Sequence, residues 1–191
     1  MALQGLANNN LGAVELLNET VVASGTASIT YDGIFDNDKF AYYTFNLNET
    51  ILNDGSFNLS IFHRGGGSTL FGSTTTYNAR IAGRLGSAMT LNTDGFQLSN
   101  GEIRLANYFP GITNSTSACF HVKFDIKPFN PQSNVHAYMA GKTHDNFYDI
   151  FNNYGTLDTL GTAVDGITIG WTDSRFWTSG QVQVYGVKRD V

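Results

Sequence analysis

At 191 residues, with a formal charge of −5 and only 14% charged side chains, the chain is the size of one ordinary domain. Its skin is built from hydroxyls and amides rather than salt bridges, since a typical globular protein carries about 25% charge. The acidic balance leaves no basic stripe to neutralise a phosphate backbone and argues against nucleic acid as a partner. A lone cysteine, Cys119, rules out an intrachain disulfide and a cysteine-built zinc site. No apolar run reaches the length of a membrane span and no signal peptide is recognisable, so assembly in the cytoplasm without a membrane partner is expected.

Residues 1–12, MALQGLANNNLG, set Leu3, Leu6 and Leu11 among Asn and Gly. Three consecutive asparagines resist helix, so this stretch reads as a loosely ordered arm ahead of a domain covering residues 13–191. Leu16-Leu17, Val21-Val22 and Ile29 then flank a Ser-Gly-Thr bend, which predicts strand, bend, strand. Tyr43, Phe45 and Leu47 alternate with Tyr42, Thr44 and Asn46. After Asn53-Asp54-Gly55, Phe57, Leu59 and Ile61 alternate likewise, and the Asp-Gly turn between the two runs predicts a hairpin.

Arg64-Gly65-Gly66-Gly67-Ser68 and the Ser/Thr run at 73–76 predict a mobile connection. Shorter strands are expected at Tyr77–Leu85, Met89–Leu91, Phe96–Leu98 and Glu102–Ala106, broken at Gly86, Asn92–Gly95 and Asn100-Gly101. The clearest strand is Ala118–Ile126, where Phe120, Val122, Phe124 and Ile126 share one face, and Pro128 and Pro131 close it. Tyr138–Lys142 and Phe147–Phe151 predict further strands, and Asn152–Asp165 a loop or short helix. In Ile167–Lys188 two alternating runs, Ile167–Trp171 and Gln181–Tyr185, read as a closing hairpin around a loop. Roughly ten to twelve strands with frequent turn signals predict an all-β, single-domain β-sandwich, jelly-roll-like in topology.

Candidate chemistry is thin. His144-Asp145 with Asp149 lacks the HxxxH, HxH and HExxH spacings of metal sites. Cys119 and His121 stand two apart on one strand face with no third group to orient a base, so a small buried thiol is the simpler reading. Asp32, Asp36 and Asp38 lack the glycine and closing glutamate of a calcium loop, and turn chemistry accounts for them. Gly65–Gly67 lacks the Lys-Ser/Thr and the helix of a phosphate cradle. Four glutamates in all would leave a glycosidase pair dependent on aspartates. No catalytic, cofactor or metal residue is therefore assigned. The open question is the aromatics: Phe176 and Trp177 in the closing loop, and Tyr42, Phe62 and Tyr185 on outward faces, suit either a neighbouring subunit or a stacked sugar ring.

Several segments taken together resemble a group of bacteriophage virion proteins. They are T-V-x-A-S-G-x-A-S-I-x-Y-D-G-I (Thr20–Ile34), the aromatic run Tyr42–Leu47, an N-D-G turn with a strand ending near Arg64-Gly-Gly-Gly, Phe124-Asp-Ile, a Lys142-Thr stretch, Gly166-Ile-Thr-Ile, and F-W-T-S-G-Q-V-Q-V-Y-G-V-K (Phe176–Lys188). Members of that group end much like FTSGxxxLYGIK, a signature from which Trp177 and Val184 depart here. The resemblance spans about Thr20 to Lys188. It implies a sandwich or jelly-roll module of a phage particle, on capsid, tail or fibre, and implies no catalytic residues. One sandwich plus a short arm, without a fibre shaft, points within that group to a trimeric capsid decoration or cement protein bound to the major capsid protein, with Leu3, Leu6 and Leu11 as its anchor. The alternative is a receptor- or glycan-binding tip that uses Phe176 and Trp177 against host-surface glycan.

Overall fold

The computed structural model describes residues 13–52, 59–70, 72, 74–84, 90–98, 101–106, 119–128, 132–144, 147–158, 162–171 and 177–189, and every regular element among them is a β-strand. In chain order these are β1 (Val14–Val22), β2 (Ser28–Tyr31), β3 (Phe40–Leu52), β4 (Leu59–Gly65), β5 (Ser68–Thr69), β6 (Thr74–Arg84) and β7 (Thr90–Leu98). There follow β8 (Glu102–Ala106), β9 (Cys119–Pro128), β10 (Gln132–His144), β11 (Phe147–Asp158), β12 (Gly166–Trp171) and β13 (Trp177–Lys188). The larger sheet has the order β1-β13-β3-β9-β10-β11-β6-β7, and the smaller β2-β12-β4-β5 with β8 also on β4.

Eight strands nest from the outside inwards. β1 pairs with β13, β2 with β12, β3 with β9 and β4 with β8, all antiparallel. One long antiparallel ribbon is thus rolled so that successive pairs fall alternately in the two sheets, which is the jelly roll. Two hairpins are inserted into it. β6–β7 lies between β4 and β8 in the chain and β10–β11 between β9 and β12, and the β11–β6 ladder joins them into one extension of the larger sheet.

The period-two pattern decides which side chains are dry. Tyr43, Phe45 and Leu47 of β3 and Val122, Phe124 and Ile126 of β9 are buried, facing a wall from the smaller sheet that includes Tyr31, Leu59, Ile61, Ile167 and Ile169. Phe45 lies directly opposite Phe124 in the β3–β9 ladder, and their rings stack at 4.6 Å and 4°. Tyr31 reaches Phe45 from the other sheet at 5.9 Å, and Phe35, from the β2–β3 connection, lies 4.5 Å from the Tyr43 ring. Each such ring buried is worth about 2–3 kcal/mol of hydrophobic stabilisation, with cross-strand aromatic pairs adding to it.

Several sequence expectations are corrected by this topology. Neither the closing pair nor the pair around the Asp-Gly turn is a hairpin: β12 and β4 belong to the smaller sheet, β13 and β3 to the larger. Alternation shows that a strand has one apolar face, and a strand of either sheet satisfies it equally. β7 runs unbroken through Asn92–Gly95, and the stretch expected to be a loop from Asn152 continues β11 to Asp158. Asn92–Gly95 is held by the ladder of the β6–β7 hairpin, and residues 152–158 by β10 on one side and the sequence-distant β6 on the other.

The glycine run after β4 is a tight turn rather than a mobile connection. Gly66 and Gly67 adopt φ of 58° and 76°, which only a residue lacking Cβ takes without strain, and the chain returns as β5. Arg64 fixes this turn from its side. Its guanidinium donates to both carboxylate oxygens of Asp32, to the Gly67 carbonyl and to Thr69 Oγ1, while Gly66 N donates to Asp165 Oδ2 at 2.9 Å. The Asp32 and Asp165 carboxylates hold the already high Arg64 pKa higher still. Next to Asp165, a Cβ on Gly166 would come within 2.3 Å of the Tyr31 carbonyl oxygen. Backbone cannot give way as a flexible side chain would, so Gly166→Ala is expected to cost about 2 kcal/mol, read as a lower urea midpoint at unchanged slope.

His63 of β4 is fully buried between the sheets, and its Nε2 lies 2.7 Å from Ser133 Oγ of β10. Nδ1 has no partner. Burial pushes the imidazole down to about pH 3, and a protonated ring would bury a second N–H with nothing to accept it. The unfolded chain binds this proton at ordinary histidine pKa and the folded chain does not, so stability falls as pH drops from about 6.5 towards 3. By pH 4 the His63 contribution to that loss reaches about 3 kcal/mol. Chemical unfolding of wild type and His63→Gln at pH 7.5 and pH 4 measures it: the variant lacks this share of the pH dependence, and parallel losses in the two proteins would exclude it.

Candidate functional site

The seven large apolar side chains exposed among the described residues divide by position. Val14, Leu16 and Val21, at 59%, 51% and 78% exposure, stand on β1 and Leu91 on β7, the two edge strands of the larger sheet. Tyr42, Tyr138 and Tyr154 stand on its interior strands β3, β10 and β11. Aliphatic surface is at the rims and aromatic surface on the face.

On β1, register explains the exposure. Val14 and Leu16 lie opposite Val187 and Tyr185, positions that alternate with the buried Val182 and Val184 of β13 and so point away from the core. A bulge between Leu16 and Asn18 leaves Leu17 packed against the core while Leu16 stays outside. The charges of this strand are engaged. Glu15 takes Lys39 at 2.9 Å and Lys188 at 3.5 Å, and the Lys39 contact holds its carboxyl below the usual range. Glu19 Oε2 accepts from Gln183 at 2.9 Å. What β1 presents outward is therefore three aliphatic side chains around the hydrogen-bonded Glu19, on a strand that pairs on one side only among the described residues, and such an edge is a template for a further chain.

On the outer face of β9 and the adjoining extension, register sets side chains in rows. Lys123, Tyr138 and Asn152 lie side by side on β9, β10 and β11, and Asp125, His136 and Tyr154 form the next row. His136 Nε2 lies 2.7 Å from Asn152 Oδ1, and the Tyr154 hydroxyl donates to Asn134 Oδ1 at 3.3 Å. Two half-exposed phenol rings thus sit on one diagonal and a hydrogen-bonded imidazole–amide pair on the other. Asp125 accepts from Thr44 and lies 4.0 Å from Lys123 Nζ, while His121 and Lys127 are exposed on the same face of β9. Such a surface can stack a flat apolar ring and offer hydrogen bonds beside it. Among the described residues no cluster of three or more metal-ligating side chains occurs.

The residues singled out from sequence fall elsewhere. Leu3, Leu6, Leu11 and Phe176 lie outside the described residues, as does Asp145 beside His144, the last residue of β10. Trp177 opens β13 opposite Leu52, so it begins a strand rather than standing in a loop. Tyr42 is exposed, whereas Tyr185 is partly covered and donates to Gln183 Oε1 at 3.1 Å. Asp36 is the turn former it was expected to be, its Oδ1 accepting from the backbone of Asp38 and Lys39. Tyr154 and Asn152 were hidden in a segment read as loop. The usable signal was Phe151 and Leu157, which keep period two across an intervening Asn153 and Gly155. No protein-family model matches the chain, and no curated protein matches it either.

Proposed function

We propose that this chain is a structural protein of a bacteriophage particle, a homotrimeric capsid decoration or cement protein that stabilises contacts between subunits of the major capsid protein. The observation that carries the reading is the aliphatic edge strand. Val14, Leu16 and Val21 are exposed on β1, and residues 1–12, with Leu3, Leu6 and Leu11, lead directly into that strand. A neighbour strand laid along β1 would gain ladder hydrogen bonds and cover these side chains together. A skin with 14% charged residues lowers the desolvation cost of such contacts. Two further points support the reading. The fold is a jelly roll, in keeping with the virion proteins the sequence resembles, and the motifs that carry the resemblance, Tyr31-Asp-Gly-Ile, Arg64-Gly-Gly-Gly and Gly166-Ile-Thr-Ile, meet at the Arg64 clamp.

The test is re-addition of the purified chain to particles stripped of it. Removing residues 1–12 is expected to abolish attachment while circular dichroism and unfolding of the free protein stay unchanged. Leu16→Glu puts a charge on an already exposed position and is expected to weaken attachment about tenfold, the equivalent of about 1.4 kcal/mol. Full occupancy by both variants, measured by gel densitometry of the particles, would overturn the proposal.

A further inference from the structure

We infer that the outward face of β9–β11 binds a saccharide carrying a carboxylate, with Tyr138 and Tyr154 as the stacking rings and Lys123 as the anion partner. This site is separate from the aliphatic edge and does not depend on the reading of that edge.

The rings are the first ground. Tyr138 and Tyr154 are 45% and 44% exposed, on strands whose opposite face is held down by buried Val135, Ala137 and Leu157. A phenol ring on such a base loses little freedom when a pyranose is laid on it, and the apolar C–H face of the sugar suits the π-face. The polar frame is the second. The His136–Asn152 pair and Asn134, which already receives the Tyr154 hydroxyl, place donors and acceptors beside the rings where sugar hydroxyls would fall. Adjacent strands are about 4.8 Å apart, so the row Lys123–Tyr138–Asn152 spans roughly 10 Å, the length of one or two sugar residues.

An exposed cation selects the class of sugar. The chain as a whole is acidic, at −5, yet the row that holds Tyr138 carries an exposed lysine, Lys123 of β9. Lys123 stands in register with Tyr138 and reaches Asp125 only at 4.0 Å. A carboxylate presented by a sugar stacked on Tyr138 would fall within reach of its ammonium group. The absence of exposed large aliphatic side chains from the described part of this face separates it from the rims, where a protein partner would find them.

The experiment uses the full chain and saturation-transfer NMR with N-acetylneuraminic acid and glucuronic acid, with lactose as the uncharged control, followed by an array of acidic glycans. Wild type is expected to transfer saturation to the acidic sugars and, more weakly, to lactose. Tyr138→Ala is expected to reduce affinity about tenfold and Tyr154→Ala somewhat less. Lys123→Gln is expected to lower affinity for the acidic sugars about threefold and leave lactose unchanged. All three positions are on the surface, so unchanged melting shows that each variant is folded. Silence of wild type towards every acidic glycan overturns the site, as does binding that survives Tyr138→Ala. Equal binding of lactose and the acidic sugars overturns the carboxylate assignment.

Discussion

The stack of Phe45 on Phe124 stands where the architecture has least room for error. These two residues face each other across β3 and β9, third and sixth of the eight nested strands, with Tyr31 of the other sheet closing on the same ring. In a jelly roll the nested strands switch sheet repeatedly along the chain, so local pairs contribute little to its core. The sheets are joined by inward side chains that arrive from distant parts of the sequence, and a cluster of interlocking rings both excludes water and fixes the register of the strands carrying them. Slipping β3 by one residue against β9 would exchange Tyr43, Phe45 and Leu47 for Tyr42, Thr44 and Asn46 and empty the wall at once. Such long-range pairing also predisposes the chain to slow folding, since loops must close before any contact offsets them.

That same constraint explains what could be read from the residues and what could not. The inward faces of β3, β4, β9, β12 and β13 were legible because dryness on one side leaves period two in the sequence. Pairing was not, because Ile167 and Ile169 alternate in the same way whether the next strand lies beside them or in the opposite sheet. Turn chemistry misled for a related reason: an Asp-Gly pair in a sequence signals only a change of direction, and a crossing between sheets needs one as surely as a hairpin does. The tyrosine face was half visible. Tyr138 sat in an evident strand, whereas Tyr154 followed Asn152-Asn153 and preceded Gly155, residues with low strand preference that only the β10 and β6 ladders on either side hold extended.

Arg64 shows how scattered motifs acquire a common cause. Asp32, Gly66-Gly67 and Asp165 are far apart in the chain, yet β2 and β4 flank β12 in the smaller sheet, so their ends fall at one place. A guanidinium there satisfies acceptors from the first two connections at once, and its planar fork suits a carboxylate approached side-on. Part of the third connection is held through Gly66 N and Asp165. The short Gly-containing phrases of the sequence therefore read as the geometry of one corner: glycines where φ is positive or backbone comes close, acids where the cation needs partners.

The inserted hairpins carry the argument from fold to function. A jelly roll closed by its eight nested strands has no need of β6–β7 or β10–β11, which leave the nested ladders intact and widen only the larger sheet. Widening separates two kinds of surface that would otherwise crowd each other. The β1 rim keeps its aliphatic side chains at one edge, and the tyrosine, imidazole and amide face of the extension lies several strands away. Side chains added to the outside of a sheet whose inner face is already dry need not disturb the core, so such a surface can acquire recognition chemistry at little cost in stability. On the proposed reading, a partner strand laid along the β1 rim leaves the tyrosine face free for a ligand.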